Sequence, residues 1–307
     1  MKAAVIGIGS NSVRCLLAET GDGAFDRIWR GREGTRLFAG LDGQGNLNPE
    51  SMEKTVAAVA WMAREARERG AESLSVFATS AARDARNGAA FAEAVRQAAG
   101  IAPRILTGEE EAEYSFIGAS AVAPGKRCGV IDIGGGSTEI AVGSPEGIEG
   151  SFSCQMGAVR LYRRLRIETP EDMAPVEAAA ADMMREHLAA FPGLNLPELW
   201  VGTGGTFTAL AALSRRIPWT DRTYTQGTCL TAEQIRAMGV ELAPMTPEER
   251  MKISSLQPSR ADIVVHGICI LLGVMEAVGT GRIVVSEWGN LDGYLMKNAR
   301  RTMSNEQ

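Results

Sequence analysis

The sequence predicts an α/β protein made of two duplicated domains, and three observations carry that prediction. At 307 residues the chain is about twice the length of a typical single domain of roughly 150 residues. The run VIGIGSNSV (5–13) aligns without gaps with VIDIGGGST (130–138), and a repeat at half-chain separation marks a duplicated unit. After each run, short apolar segments of strand length alternate with longer segments of helical period, the pattern of a sheet covered by helices.

Each matched run reads as an apolar strand, a small polar turn and a second apolar strand, VRCLLAE in one case and TEIAVG in the other. That is a β-hairpin. In residues 48–69, Met52, Val56, Val59 and Ala63 recur at helical spacing, with Asn48 as cap, Pro49 as first helical residue and Gly70 as stop. A strand (SLSVFA), a helix opened by TSAARDARNG and ending near Gly100, a short strand (PRIL) and a helix opened by TGEEEAEYSFIGA follow. The first domain then covers 1–121, and AVAPGKR reads as a hinge to the second, 122–307. The second domain repeats the hairpin and adds a strand (SFSCQM), helices at 157–166 and 171–191, and a strand (ELWVG) leading into the glycine turn GTGGT. A long apolar helix at 260–279, a strand (RIVVS) and a final helix, 291–304, complete it. That last helix is a candidate to pack back on the first domain.

Composition narrows the chemistry. Apolar residues are 45% and charged residues 22% of the chain, the values of an ordinary globular protein. Glycine is in excess, 35 residues where roughly 7% is usual, which points to turns and ligand-cradling loops. Only His187 and His266 are present, each in a helix-like run. Ser-His-Asp hydrolysis and His-rich metal centres are therefore excluded, leaving carboxylates, arginines and backbone amides to do the chemistry. The five cysteines (Cys15, Cys128, Cys154, Cys229, Cys269) are scattered and form no CxxC pair, as expected for reduced thiols in the cytoplasm. No apolar run approaches the roughly 20 residues of a membrane span, and no cleavage region follows MKAAVIGIGS; no membrane is expected as a partner. With a net charge of −5, an anionic partner must be held by local features, and DNA is not expected.

The two turns supply such features. Ser10, Asn11 and Ser12 in the first, and Gly134, Gly135, Gly136, Ser137 and Thr138 in the second, offer N–H groups and hydroxyls that suit phosphate oxygens, with glycine letting the main chain approach closely. Asp132 ends the apolar strand entering the second turn, where a lone buried carboxylate would be costly without a partner; holding a divalent cation accounts for it. In the acidic run 109–111, Thr107 and Glu110 form a capping box and Glu109 suits the helix dipole. Capping leaves Glu111 unexplained.

Eight segments together are similar to one family. GSNSVR (9–14), TRLFAGL (35–41), ATSAARDARN (78–87), TGEEEA (107–112), VIDIGGGSTE (130–139), MGAVRL (156–161), VGTGGT (201–206) and RADIV (260–264) resemble, in order, the exopolyphosphatase and guanosine pentaphosphate phosphatase (Ppx/GppA) family in its short two-domain form. The paired glycine hairpins likewise resemble the actin, sugar-kinase and Hsp70-type fold (ASKHA, ribonuclease H-like), which implies a cleft between the domains.

The resemblance implies Mg²⁺-dependent release of the terminal phosphate of polyphosphate, or conversion of pppGpp to ppGpp. Such chemistry is mostly positioning and electrostatics around a charge-spread transition state. Glu111 matches the family's proposed catalytic Glu and is assigned to orient the attacking water; the helix dipole that favours its charge suits that role better than strong base catalysis. Arg83 matches the family's Arg, able to bind phosphate oxygens bidentately, or else is a helix-surface residue. Arg160, Arg163, Arg164 and Arg166, read as one short helix, either guide a polyanion or are solvated. Gly204, Gly205 and Thr206 either contact substrate or allow close helix–strand packing. A homodimer is consistent with the pattern and not specified by it.

Two departures stand out. Gly7 replaces the family's usual Asp, and SEWGNLDG (286–293) replaces the usual Gly-Leu-Arg-Glu-Gly, leaving Asp292 for Glu and no Arg. The alternative they raise is a weakened protein that binds polyphosphate or alarmone.

Overall fold

The computed structural model describes residues 1–21 and 24–305. It divides into two compact units. Unit 1 is Met1–Gly118 with the C-terminal segment from Asn290; unit 2 is Ala119–Gly289. The boundary thus lies at 118/119, where 121/122 was expected, and the final helix counts with unit 1.

Unit 1 opens with β1 (Lys2–Ile8), β2 (Val13–Gly21) and β3 (Ala24–Glu33), followed by α1 (Pro49–Glu68), β4 (Ser73–Ala78), α2 (Ser80–Asp84), α3 (Gly88–Ala99), β5 (Arg104–Ile105) and α4 (Gly108–Ala119). Asn48 caps α1 by accepting from Ser51 N–H at 2.8 Å, and Gly70 ends it at φ +86°, as its sequence anticipates. The run expected as one helix from Thr79 to Gly100 breaks between Asp84 and Gly88.

Unit 2 contains β6 (Cys128–Ile133), β7 (Thr138–Ser144), β8 (Gly147–Cys154), α5 (Ala158–Tyr162), α6 (Met173–Ala189), β9 (Trp200–Thr203) and α7 (Gly205–Arg215). Then come β10 (Cys229–Thr231), α8 (Ala232–Leu242), α9 (Pro247–Arg250), α10 (Val264–Ala277) and β11 (Arg282–Val285); α11 (Asn290–Asn305) returns to unit 1. The helix expected at 157–166 stops at Tyr162, so only Arg160 of the four arginines is helical.

The duplication runs through the whole sheet. Unit 1 orders its strands β3-β2-β1-β4-β5, and unit 2 has β8-β7-β6-β9-β11 with β10 added at the edge. In each, the opening hairpin is antiparallel and the next two neighbours are parallel. The central strands β1 and β6 are buried on both faces, which explains their unbroken apolar runs. In unit 1 the core joins Val5, Leu16, Phe77, Leu106 and Tyr114 to Leu291 and Leu295 of α11. Burying each large apolar side chain contributes about 1.5–3 kcal/mol, enough to anchor α11. In unit 2, α10 is buried from Val264 through Met275, so it is a core helix. No helix among the described residues is long and apolar enough to cross a membrane.

Candidate active site

The two hairpin turns have the same internal geometry. Gly9 N–H donates to Ser12 O at 3.1 Å, and Gly134 N–H donates to Ser137 O at 2.9 Å. A Cβ on Gly9 or Gly134 would stand 3.1 Å from that same carbonyl. Each turn is also held from behind through its carbonyls. Ser10 O and Asn11 O accept from the amides of Phe38 and Arg36, at 2.9 and 3.0 Å. Gly134 O accepts from Ala158 N–H, and Gly135 O accepts from the amides of Val159 and Arg160. Arg160 Nε adds a bond to Gly136 O at 2.7 Å. These contacts explain the TRLF and MGAVRL segments. Gly157 has no room for a side chain, because a Cβ there would meet Gly135 at 2.4 Å.

With the carbonyls tied back, the amides are left over. Ser10, Ser12, Gly135, Gly136 and Ser137 have no hydrogen-bond acceptor for their N–H among the described residues. Successive free amides in a turn form a nest with partial positive charge, suited to an anion. Two of the turn hydroxyls have partners within the protein. Ser10 Oγ pairs with Ser80 Oγ at 2.9 Å, and Thr138 Oγ1 donates to Met156 O with its residue fully buried.

Asp132 is 7% exposed and lies opposite Glu139 in the β6–β7 register. Directly opposite residues of an antiparallel pair share a face, with Cβ atoms about 4.5–5.5 Å apart. Glu139 is itself buried and accepts from Ser153 Oγ at 2.7 Å. Thr203 is the neighbour of Asp132 on β9. Gly204, at φ +93°, passes so close that a Cβ would stand 2.6 Å from Asp132 Oδ1. Two carboxylates buried side by side are costly unless hydrogen bonds, paired charges or a cation compensate them. Among the described residues no group of three or more His, Cys, Asp or Glu is placed to hold a metal ion. A pair of carboxylates is a donor set that Mg²⁺ could use, since that ion takes one or two carboxylates and keeps its other positions for water and phosphate oxygens. Sequence reasoning missed Glu139. Its signal was available, since a hairpin register places the seventh residue after Asp132 beside it.

Glu111 lies in the first turn of α4. Thr107 N–H donates to Glu110 Oε2 at 3.0 Å, and Glu110 N–H donates to Thr107 Oγ1 at 3.2 Å. The capping box therefore uses Glu110 and leaves Glu111 for another purpose. Glu111 is 6% exposed, hence not a solvated helix-start carboxylate. Arg83 Nη1 donates to Leu106 O at 2.9 Å and lies 3.4 Å from Glu111 Oε2. Arg83 Nη2 is buried with no hydrogen-bond partner among the described residues. An orphaned guanidinium nitrogen is expensive in a folded protein.

The GTGGT turn is filled by its own chain. A Cβ at Gly205 would fall 1.8 Å from the Arg260 guanidinium, and Thr206 faces Gly267 of α10. The space left beside Gly205, Thr208, Trp219 and Arg260 is about 10 Å³, room for about one water. Gly204 and Gly205 thus serve close approach, and the Thr206 side chain packs against α10.

Gly7 is filled as well. A Cβ there would lie 2.8 Å from Leu291 Cδ2 and 3.1 Å from the Phe77 ring. Leu291 belongs to the altered C-terminal motif, so the two departures meet at one contact. Asp292 of that motif pairs with Arg27, with Arg27 Nη2 and Asp292 Oδ1 2.6 Å apart.

Comparisons with known proteins agree on one family. The Ppx/GppA phosphatase family matches residues 16–302. Exopolyphosphatase 2 of Mycobacterium tuberculosis is 32% identical over 97% of this chain and 98% of its own. Exopolyphosphatase 1 of Mycobacterium bovis is 28% identical over 97% of this chain and 88% of its own. The crystal structure of the Aquifex aeolicus Ppx/GppA family member superposes with a TM-score of 0.82 at 27% identity, covering 100% of this chain and 99% of that one. The duplicated sheets, the twin turns and the matches over nearly the whole length lead to one assignment: this chain belongs to the Ppx/GppA phosphatase family.

Proposed function

We propose that the chain is an exopolyphosphatase that hydrolyses the terminal phosphoanhydride of polyphosphate. The observation that carries this reading is the buried Glu111 beside Arg83, whose Nη2 lacks a partner among the described residues. The naming of relatives as exopolyphosphatases at 28–32% identity supports the choice of substrate; pppGpp is the second substrate to compare.

The roles follow from chemistry. Glu111 accepts a hydrogen bond from water and orients its lone pair toward the terminal phosphorus. Arg83 Nη2 receives a terminal phosphoryl oxygen as charge develops there. In unit 2 the amides of Gly135, Gly136 and Ser137 suit non-reacting phosphate oxygens, and those of Ser10 and Ser12 are the equivalent set in unit 1. As the water oxygen bonds to phosphorus, the bridging P–O bond breaks and its electron pair stays with the shortened chain. The water proton leaves toward Glu111 and solvent. Asp132 and Glu139 would hold Mg²⁺, which neutralises phosphate charge when bound.

Phosphate release from polyphosphate and from pppGpp with Mg²⁺ tests the reading. Glu111→Gln is expected to lower turnover by roughly 10²–10⁴-fold, the range for a positioned acid–base group. Equal rates in the two proteins would remove Glu111 from the mechanism. Tight polyphosphate binding without turnover in the unaltered protein would overturn the assignment.

A further inference from the structure

At one position the turn of unit 1 carries a hydroxyl that the turn of unit 2 lacks. Ser10 stands where unit 2 has Gly135, and Ser10 Oγ lies 2.9 Å from Ser80 Oγ. Ser80 is the first residue of α2, the helix that carries Arg83. Both serines are buried, Ser10 at 4% and Ser80 at 2% exposure. The contact is well anchored, because Thr79 N–H also donates to Ile8 O at 3.1 Å. The start of α2 is thus fastened both to the end of β1 and to the turn that follows it.

The hydrogens of the pair can be counted. Each hydroxyl has one hydrogen to donate and two lone pairs to receive. One hydrogen enters the bond between Ser10 and Ser80. The second has no acceptor, since neither Oγ makes another hydrogen bond among the described residues. A buried O–H left without an acceptor costs about 1–3 kcal/mol. The backbone of the turn is unbalanced in the same sense. Ser10 O, Asn11 O and Ser12 O accept from the amides of Phe38, Arg36 and Gly9, while the amides of Ser10 and Ser12 have no acceptor among the described residues. What remains at this turn is all donor. A water molecule would satisfy it poorly, because water needs acceptors for its own hydrogens. An ionised phosphate oxygen only accepts, and matches it.

We propose that Ser80 is a positioning residue for a non-reacting phosphate oxygen at the unit 1 turn. The Ser80 O–H donates to Ser10 Oγ, and Ser10 donates its own O–H to that oxygen. Arrival of the anion fixes this direction: the hydroxyl in the turn has to give its hydrogen outward, so it receives the one from Ser80. A hydroxyl that receives one bond while giving another is a stronger donor, and the Ser80 contact restricts its rotation. No proton is transferred. The inference rests on the reading of the turn as a phosphate cradle and adds to it a residue outside the turn. It also gives α2 two tasks three residues apart, with Ser80 behind the cradle and Arg83 beside Glu111.

Calorimetry of the full chain with tripolyphosphate, without Mg²⁺ and with melting temperatures recorded alongside, tests this. Ser10→Ala deletes the outward donor and should weaken binding about tenfold or more, the worth of a hydrogen bond to a charged group. Ser80→Ala leaves that donor unsupported and should weaken binding about threefold, the lower end for a single neutral hydrogen bond. In the double variant the smaller loss should disappear, because Ser80 then has nothing to act through. In the phosphate-release assay with Mg²⁺, Ser80→Ala should raise KM for polyphosphate by more than it lowers kcat. A serine pair that only braced α2 would lower the melting temperature and leave the affinity of the folded protein as it was. That result, or additive losses in the double variant, overturns the proposal. The hydrolase reading fails separately: if the unaltered protein binds tripolyphosphate but releases no phosphate from polyphosphate, the serine effects on binding still support the pair. Absence of tripolyphosphate binding in the unaltered protein overturns both.

Discussion

The two hairpins turn their chains in the same way and present opposite charge. At matched positions beside the turn, unit 2 has Asp132 facing Glu139, and unit 1 has Gly7 facing Arg14. The backbone of the turn is the same in both, down to the bond from the first glycine to the residue three places on. The bracing differs: the start of an α-helix in unit 2, and in unit 1 a left-handed Arg36 (φ 54°) with the short 3-10 turn Leu37–Gly40 that it opens. A turn that frees its amides requires only that its carbonyls be satisfied from behind, so unrelated elements can serve. The side chains beside the turn are then free to diverge. One hairpin carries two facing carboxylates; the other is basic, with Arg14 donating to Asn290 Oδ1 at 3.1 Å.

The largest expected effect separates those two roles. Asp132→Asn should lower turnover on the order of 10²–10³-fold, comparable to losing a key electrostatic group, and raise the Mg²⁺ concentration needed. Arg14→Met should raise KM for polyphosphate while leaving the Mg²⁺ requirement in place. Matching shifts in Mg²⁺ dependence for both variants would break the comparison.

A smaller effect concerns Gly7. Adding a methyl there drives a Cβ against Leu291 and Phe77, so Gly7→Ala should cost about 1–3 kcal/mol, as overpacking does. Leu291→Ala alone opens a cavity and costs about 2–5 kcal/mol. Together they should cost less than their sum in thermal or urea unfolding. Strict additivity would show that the contact is relaxed at no cost. Restoring an Asp at Gly7 is for the same reason no simple repair of a metal ligand.

The smallest effect reads local opening. Burial holds the thiols of Cys15 and Cys154 up at about 12 and Cys128 at about 11, and raises Cys269 too. Thiolate is the reactive form, and raising pH toward 8 does not generate it at these positions. Only Cys229, which is exposed, should react with a thiol reagent in the folded protein near neutral pH. Labelling of Cys15 before Cys128 and Cys154 would show that the unit 1 hairpin opens more readily; simultaneous labelling would show equal stability.

Much of the candidate site was legible because local rules wrote it. Thr107 and Glu110 form their capping box from sequence spacing alone, and removing Glu110 by that logic leaves Glu111 as the unexplained carboxylate. Glu139 was hidden because its importance lies in the strand register that sets it against Asp132. Thr138 was assigned a hydroxyl for substrate, and a carbonyl eighteen residues later takes it. The four arginines at 160–166 look alike in sequence and divide in space: Arg160 braces the turn, whereas the other three line a cavity in unit 2.

The duplication, the α/β layering, the turn positions and the family motifs were determined by the sequence itself, since apolar period, glycine placement and capping act over a few residues. The tertiary structure alone decided which unit receives α11, what fills the space at Gly7, and which polar atoms end buried without partners. Those outcomes depend on packing between segments far apart in the chain, where a fraction of an ångström between Leu291 and a missing Cβ, or one unclaimed nitrogen on Arg83, sets the result.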